Sequence, residues 1–98
     1  MSQFHELINR NTPTLVDFSA NWCEPCRKMP PILNEVKAEL GDSVNIIKVD
    51  VQKDKKAAHK YEITNIPTLL LFKNGKVIWR KSGVTGAREI SNAVKKRS

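Results

Sequence analysis

Two cysteines, Cys23 and Cys26, are the residues of this sequence whose spacing is best suited to covalent chemistry, and the chain has no others. The C-x-x-C spacing permits a reversible disulfide, and it also permits ligation of a metal ion by two thiolates. The pair directly follows a strand-like run and directly precedes a helical one. Which of the two the pair forms, a redox site or a metal site, depends on the residues around it.

The rest of the sequence favours redox chemistry. A structural zinc site needs two more ligands, but no second cysteine pair follows, and His5 and His59 stand alone on different predicted helices. We interpret both histidines as surface residues and predict no metal site. A disulfide across so short a loop would add about 2 kcal/mol to stability, or less if strained, so its value lies in its chemistry.

The predicted start of a helix at Cys23 suits a reactive thiol. A cysteine attacks disulfides only as the thiolate, which the free N–H groups and the dipole of a helix N-terminus stabilise. Pro25 suits the first turn because its missing N–H is not needed there. Cys26 comes one turn later and could resolve a mixed disulfide, while Trp22 and Pro25 offer apolar surface to a substrate.

Asp17 is the one charged residue in the predicted strand over residues 14–19. A carboxylate buried in such a strand is costly unless it is paired, hydrogen-bonded or protonated, so desolvation should raise its pKa. Lys48 is the corresponding charged residue of the strand over residues 44–50, and it would oppose that shift if it came close. An edge strand that shows Asp17 to solvent is the alternative.

The hydrophobic pattern predicts the order α-β-α-β-α-β-β-α, with parallel pairing of the first two strands because a helix joins them. Pro30 and Pro31 should kink the long helix after its first turn. Asn74-Gly75 is a strong hairpin signal. Strands are predicted over residues 14–19, 44–50, 66–72 and 77–80, and helices over the first ten residues, 23–40, 53–61 and the segment after Thr85.

Composition is that of a single globular domain spanning residues 1–98. Hydrophobic residues make up 40% and charged residues 28% of the chain, both ordinary values for a globular protein. No apolar run approaches the roughly 20 residues that cross a bilayer, and residues 1–10 lack the pattern of a secretion signal. We expect a cytoplasmic protein without membrane association.

The net charge of +7 is unevenly distributed along the chain. Residues 1–50 have a net charge of −2, from 5 Lys and Arg against 7 Asp and Glu, whereas residues 51–98 have +9, from 12 against 3. A basic half can bind nucleic acid or acidic partners. Because the lysines are scattered without interleaved aromatic residues, we interpret them as solvated surface and expect no nucleic-acid binding.

Several stretches together closely resemble the thioredoxin family, over about residues 4–95 in unbroken order. A C-x-x-C motif alone is a weak signal. A buried-strand aspartate nine residues before the second cysteine, and an Ile-Pro-Thr about forty residues later, make the signal strong. The matching stretches are Val16-Asp17-Phe18, Ala20-Asn21-Trp22-Cys23 with Pro25-Cys26, Pro31-Ile32-Leu33, and Ile66-Pro67-Thr68 running into Phe72-Lys73-Asn74-Gly75.

The resemblance implies a role for each matching position. Cys23 would attack and Cys26 would resolve, with Asp17 beneath the pair as proton acceptor for Cys26 and Lys48 nearby. The residues predicted to bind substrate are Trp22, Glu24, Pro25, Asn65, Ile66, Pro67 and Gly83.

In that set, Pro67 would be cis and face Cys23. The backbone around Asn65 and Ile66 would pair with an extended substrate, and Gly83 would keep that groove open.

The sequence also departs from the family pattern. Glu24 replaces the usual glycine, Ser19 a usual tryptophan and Asn65 a frequent glycine. The N-terminal strand of the family is missing from the predicted elements, which leaves four strands where five are usual. These differences bear on partner choice and redox potential, and they leave the strand over residues 44–50 as a sheet edge through which a monomer could self-associate.

The sequence therefore predicts an α/β protein with a thioredoxin-like three-layer sandwich around a mixed four-stranded sheet. The resemblance implies a protein-disulfide reductase that needs no bound cofactor and receives electrons from NADPH through a thioredoxin reductase. The alternatives are a non-redox interaction subunit with the same fold, or a redox partner of narrow specificity.

Overall fold

A computed structural model describes residues 2–97, and the elements follow the predicted order. Four helices and four strands are present in this part of the chain, with short 3₁₀ turns before and after the second helix. The helices are α1 (Ser2–Ile8), α2 (Met29–Leu40), α3 (Lys55–Lys60) and α4 (Ala87–Arg97), and the strands are β1 (Thr14–Ser19), β2 (Asn45–Asp50), β3 (Thr68–Lys73) and β4 (Lys76–Ser82).

The four strands form one mixed sheet in the order β2-β1-β3-β4. β1 and β2 are parallel and joined through α2, as predicted, while β1 pairs with β3 and β3 with β4 in antiparallel register. The β3–β4 hairpin turns at Asn74 and Gly75, whose φ angles are +53° and +80°. Positive φ at both central residues is what an Asn-Gly hairpin turn requires. The predicted fold class is confirmed.

Helices cover both faces of the sheet, and alternate residues of β1 belong to different cores. Leu15 packs in the core beneath α2 and α4, whereas Val16 and Phe18 pack in the core beneath α1 and α3. Every residue of β1 is buried as a result. The first core also contains Met29, Leu33, Val36, Leu69, Leu71, Ile90 and Val94, and the second Phe4, Ile8, Ala57, Leu70 and Phe72.

The helix that follows the cysteines starts later than predicted. A 3₁₀ turn runs from Pro25 to Lys28, and the α-helix begins only at Met29. Pro30 and Pro31 occupy the first turn of α2, where backbone N–H groups have no intrahelical partner, so neither proline removes a hydrogen bond. The prediction of a continuous helix from Cys23 with a kink is therefore wrong. The change from 3₁₀ to α lies before the prolines.

The two outer strands are more exposed than the central pair. β2 is half-buried, with Val49 the one buried residue of the strand and Lys48 exposed. Within residues 2–97 no strand pairs with the outer side of β2. None of the helices in this part of the chain combines the length and the apolar composition needed to cross a membrane.

Three aromatic rings anchor α1 and the end of α3 to the sheet. Phe72 is fully buried, and its ring meets the rings of Phe4 and Tyr61 edge-on at centroid distances of 6.0 and 5.1 Å. Edge-to-face pairs at such distances add to the stabilisation that burial alone provides. The packing of α1 therefore depends on a side chain of β3.

Phe72→Ala should lower the free energy of unfolding by about 3–5 kcal/mol, because it leaves a cavity and removes both ring contacts. Urea denaturation followed by circular dichroism measures the loss. The matched control is Val77→Ala on β4, where the side chain is 42% exposed and the expected change is within about 0.5 kcal/mol. Equal losses in the two variants would contradict the assignment of this core.

Candidate active site

Cys23 and Cys26 form a disulfide at the end of the sheet where β1 terminates. Their Cα atoms are 5.3 Å apart, within the normal range for a bridged pair. The loop leaves β1 through a turn in which the Cys23 N–H donates to the Ala20 carbonyl at 3.2 Å. The Cys26 N–H then lies 3.3 Å from Cys23 Sγ, where it would stabilise negative charge on that sulfur after reduction.

Both cysteines are buried in this oxidised state. Cys23 is 4% and Cys26 5% exposed. Ala20 and Ile66 pack against the pair, and Cys23 Sγ lies 3.9 Å from the Ile66 carbonyl oxygen. The exposed apolar surface beside the disulfide belongs to Trp22, which is 65% exposed.

The loop before β3 forms the wall opposite Cys23. The Ile66–Pro67 peptide bond is cis, as the resemblance implied. The Gly83 N–H donates to the Pro67 carbonyl at 2.7 Å, and Gly83 has φ of +89° with open space where a side chain would begin. The Thr68 hydroxyl donates to the Asn65 carbonyl at 2.6 Å. One acceptor position of Asn65 is therefore already used within the loop.

Asp17 is buried at 1% exposure in the middle of the sheet, directly opposite Lys48 in the parallel β1–β2 register. Its Oδ1 has no hydrogen-bond partner among the described residues. Desolvation raises the pKa of Asp17 to about 6, and the nearby Lys48 ammonium opposes that rise. Because β1 pairs with strands on both sides, the alternative that Asp17 lies on an edge strand is wrong.

A small cavity connects Lys48 with the second cysteine. It has a volume of about 210 Å³, and its lining includes Cys26, Lys48 and Arg27. A cavity of this size with polar lining can hold water. Lys48 thus lines a cavity with Cys26 and lies opposite Asp17 in the strand register, so it is the charged residue common to both.

The remaining predicted site residues lie on the outer surface of the loop. Glu24 and Pro25 are exposed, and Glu24 pairs with Arg27 at 3.4 Å. The side chains of that pair are 84% and 66% exposed, so the ion pair is weak. The sequence reasoning missed two contacts, Arg27 with the Asn21 carbonyl and the Thr68 hydroxyl with Asn65. The adjacency of Thr68 to Pro67 was the only available signal.

The two histidines are exposed on α1 and α3, as predicted. Within residues 2–97, no group of three or more His, Cys, Asp or Glu side chains is arranged to hold a metal ion.

A Cys-x-x-Cys disulfide at the end of a central strand, next to a cis-proline loop, is the arrangement of proteins that exchange thiols and disulfides. The thioredoxin family model matches residues 1–96, and the chain belongs to the thioredoxin family.

Curated relatives agree with this assignment. Thioredoxin C-2 of Corynebacterium nephridii is 45% identical over 78 residues, which cover 80% of this chain and 72% of that protein. The chloroplastic thioredoxin Y of Oryza sativa subsp. japonica is 43% identical over 90 residues, or 91% of this chain. The chain spans about half the length of the chloroplast relatives it matches, 54% in the rice protein.

Among solved structures, the oxidised form of mitochondrial thioredoxin 3 from Saccharomyces cerevisiae superposes with a TM-score of 0.86 at 32% identity. The superposition covers 97% of this chain and 88% of the yeast chain.

Asp17→Asn should stabilise the protein at neutral pH by about 2–3 kcal/mol. In the folded state the Asp17 carboxyl titrates at about 6, whereas in the unfolded state it ionises near 3.9. The stability of the parent protein should therefore fall as pH rises from about 4 to 6 and stay level above that. The stability of the Asn variant should not decrease over this pH range.

Urea denaturation at several pH values between 3.5 and 8 measures both effects. Asp42→Asn is the control, because it removes the same charge at an exposed position. A parent protein whose stability does not decrease between pH 4 and 6 relative to Asp17→Asn would contradict the raised pKa.

Glu24→Gln should increase the rate at which reduced Cys23 reacts with iodoacetamide, by up to about threefold at low ionic strength. The substitution removes a negative charge beside the sulfur. It also releases Arg27, which is paired with Glu24 in the parent protein. The effect should shrink above about 0.15 M salt because both groups are exposed. Arg27→Gln should act in the opposite direction. Unchanged rates in both variants would assign Glu24 to partner contacts alone.

Proposed function

We propose that this protein reduces protein disulfides by thiol–disulfide exchange. The observation that carries the proposal is the placement of the Cys23–Cys26 pair against the Ile66–Pro67 loop, in a chain of the thioredoxin family. The exposed Trp22 beside the pair provides an apolar contact for the substrate. The backbone of Ile66 next to Cys23 provides an edge against which an extended segment can align.

The reaction consists of two exchanges. The Cys23 thiolate attacks one sulfur of the substrate disulfide, which forms a mixed disulfide and releases the other substrate sulfur as a thiolate. The Cys26 thiolate then attacks Cys23 Sγ, the mixed disulfide breaks, and the second substrate thiolate leaves. Two electrons pass to the substrate, and the Cys23–Cys26 disulfide forms.

Asp17 serves as the proton acceptor for Cys26 in this mechanism. With a pKa of about 6, the carboxyl is ionised at neutral pH yet remains a better base than an exposed aspartate. The cavity that Lys48 and Cys26 share has room for a water molecule next to Cys26. Lys48 stabilises the ionised form of Asp17 before the proton is transferred.

The resemblance to thioredoxins supports the choice of partners. The substrates are proteins with accessible disulfides, and a thioredoxin reductase with NADPH restores the dithiol. The exchange chemistry uses the two sulfurs alone, so the domain requires no bound cofactor.

Insulin reduction in the presence of NADPH and a thioredoxin reductase tests the activity. The parent protein should accelerate precipitation of the insulin B chain, and Cys23→Ser should abolish the acceleration. A parent protein that is folded and is reduced by the reductase, yet leaves insulin intact, would instead be a redox partner of narrow specificity. A folded parent that the reductase does not reduce and that leaves insulin intact would be a non-redox interaction subunit.

The roles of the two cysteines are separable by trapping. Cys26→Ser should accumulate mixed disulfides with substrate proteins, because Cys23 still attacks and nothing resolves the product. Cys23→Ser should accumulate few. Non-reducing electrophoresis after incubation with a cell extract compares the two variants, and equal trapping would mean that the attacking cysteine is misassigned.

A further inference from the structure

A groove beside the redox pair is lined by four lysines, which all lie within residues 48–56, at the end of β2 and in the connection into α3. We propose that this groove, defined by Lys48, Lys53, Lys55 and Lys56, selects substrate proteins that carry acidic residues next to the reactive disulfide. The proposal rests on the proposed function, since it names the class of substrate that the same redox site reduces.

The position of the groove ties it to the chemistry. The groove has a volume of about 860 Å³ and extends from Asn21, two residues before Cys23, along the end of β2 and the loop into α3. Asn21 and Lys48 also line the small cavity at Cys26, so the two depressions adjoin. A protein segment whose disulfide reaches Cys23 can therefore place its neighbouring residues in the groove.

The groove has a net positive charge, and its own two carboxylates accept hydrogen bonds from the backbone. Asp50 accepts a hydrogen bond from the Gln52 N–H at 2.8 Å, and Asp54 caps α3 by accepting from the Ala57 N–H at 3.1 Å. The four lysines outnumber these two carboxylates. Within residues 2–97, the ion pairs are Arg27–Glu24, Lys81–Glu89 and Lys95–Glu39, none of which involves a groove lysine.

Carboxylates are the groups that this arrangement suits. A single exposed ion pair contributes little, but several cations around one groove raise the local concentration of an acidic partner and its association rate. No aromatic side chain is among the described residues that line the groove, so the stacking surface that single-stranded nucleic acids use is absent there. An acidic protein segment is the better match.

Two synthetic peptides test the proposal. Each carries one cysteine activated as a 2-pyridyl disulfide, flanked on both sides by either glutamate or glutamine. The reduced protein attacks the peptide sulfur and releases neutral thiopyridone, whose absorbance gives the rate. At low ionic strength the parent protein should react about tenfold faster with the glutamate peptide, and the preference should disappear above about 0.3 M salt.

A charge-matched pair of variants locates the effect. The triple variant Lys53→Gln, Lys55→Gln, Lys56→Gln should reduce the glutamate-to-glutamine rate ratio to near one. Lys73→Gln, Lys76→Gln, Lys96→Gln removes the same charge from the hairpin of β3 and β4 and the end of α4. Lys73 and Lys76 lie at the opposite end of the sheet from the cysteines, and none of the three lysines lines the groove. This control should keep a ratio close to that of the parent.

The remaining outcomes decide against the proposal in distinguishable ways. Equal rates with both peptides in the parent protein, or equal losses in the two triple variants, would overturn the groove assignment while leaving disulfide reduction intact. Thiopyridone release from neither peptide would overturn the proposed function, and the groove assignment with it. An oligonucleotide that binds the parent but not the groove variant, without any glutamate preference, would make the groove a nucleic-acid site.

Discussion

Strand β1 is hydrogen-bonded on both sides and covered on both faces, and the site depends on that complete burial. Its pairing with β2 and β3 leaves no free strand edge, and the two cores formed with the four helices meet on it. The disulfide loop continues directly from Ser19 at its end. A loop attached to so rigid a strand holds its sulfurs in place against the cis-proline loop, which is itself the start of the neighbouring strand β3.

The same burial creates a conflict between stability and chemistry. The folded protein would be more stable with an apolar residue in place of Asp17. Desolvation raises the pKa of Asp17 to about 6, and its Oδ1 lacks a hydrogen-bond partner within the described structure. Ionisation in the folded protein at neutral pH costs about 3 kcal/mol. That is a large share of the stability of a domain of this size, and perturbed carboxyl groups of this kind cluster at functional sites.

The charged residues around the site act over two ranges, one within the protein and one in the surrounding solvent. Lys48 acts at short range, since it opposes the pKa shift of Asp17 and lines the cavity at Cys26. The lysines of the β2–α3 connection are solvated, and their field reaches only about a Debye length into the surrounding solution. Lys48 therefore bears on the ionisation of Asp17, whereas the outer lysines contribute to the positive potential at the surface.

The sequence alone determined the elements and the chemistry of the cysteines. Hydrophobic periodicity, the Asn74-Gly75 turn and the C-x-x-C spacing are local patterns, and each acts through residues that are neighbours in the chain. The burial of Asp17 was also predictable, because a residue within a continuous apolar run of strand length is covered together with its neighbours. The resemblance to thioredoxins added the cis bond at Pro67 and the partner loop.

Only the tertiary structure decided how distant residues meet. The alignment of Lys48 with Asp17 depends on the register of two strands about thirty residues apart, and a shift by one residue would turn Lys48 to the other face. The equal burial of Cys23 and Cys26 depends on Ile66, which comes from a distant loop. The four groove lysines are close together within residues 48–56, but only the fold places that segment next to Asn21 and the cysteine loop. Such contacts arise from packing between separate elements, and local sequence patterns do not predict that packing.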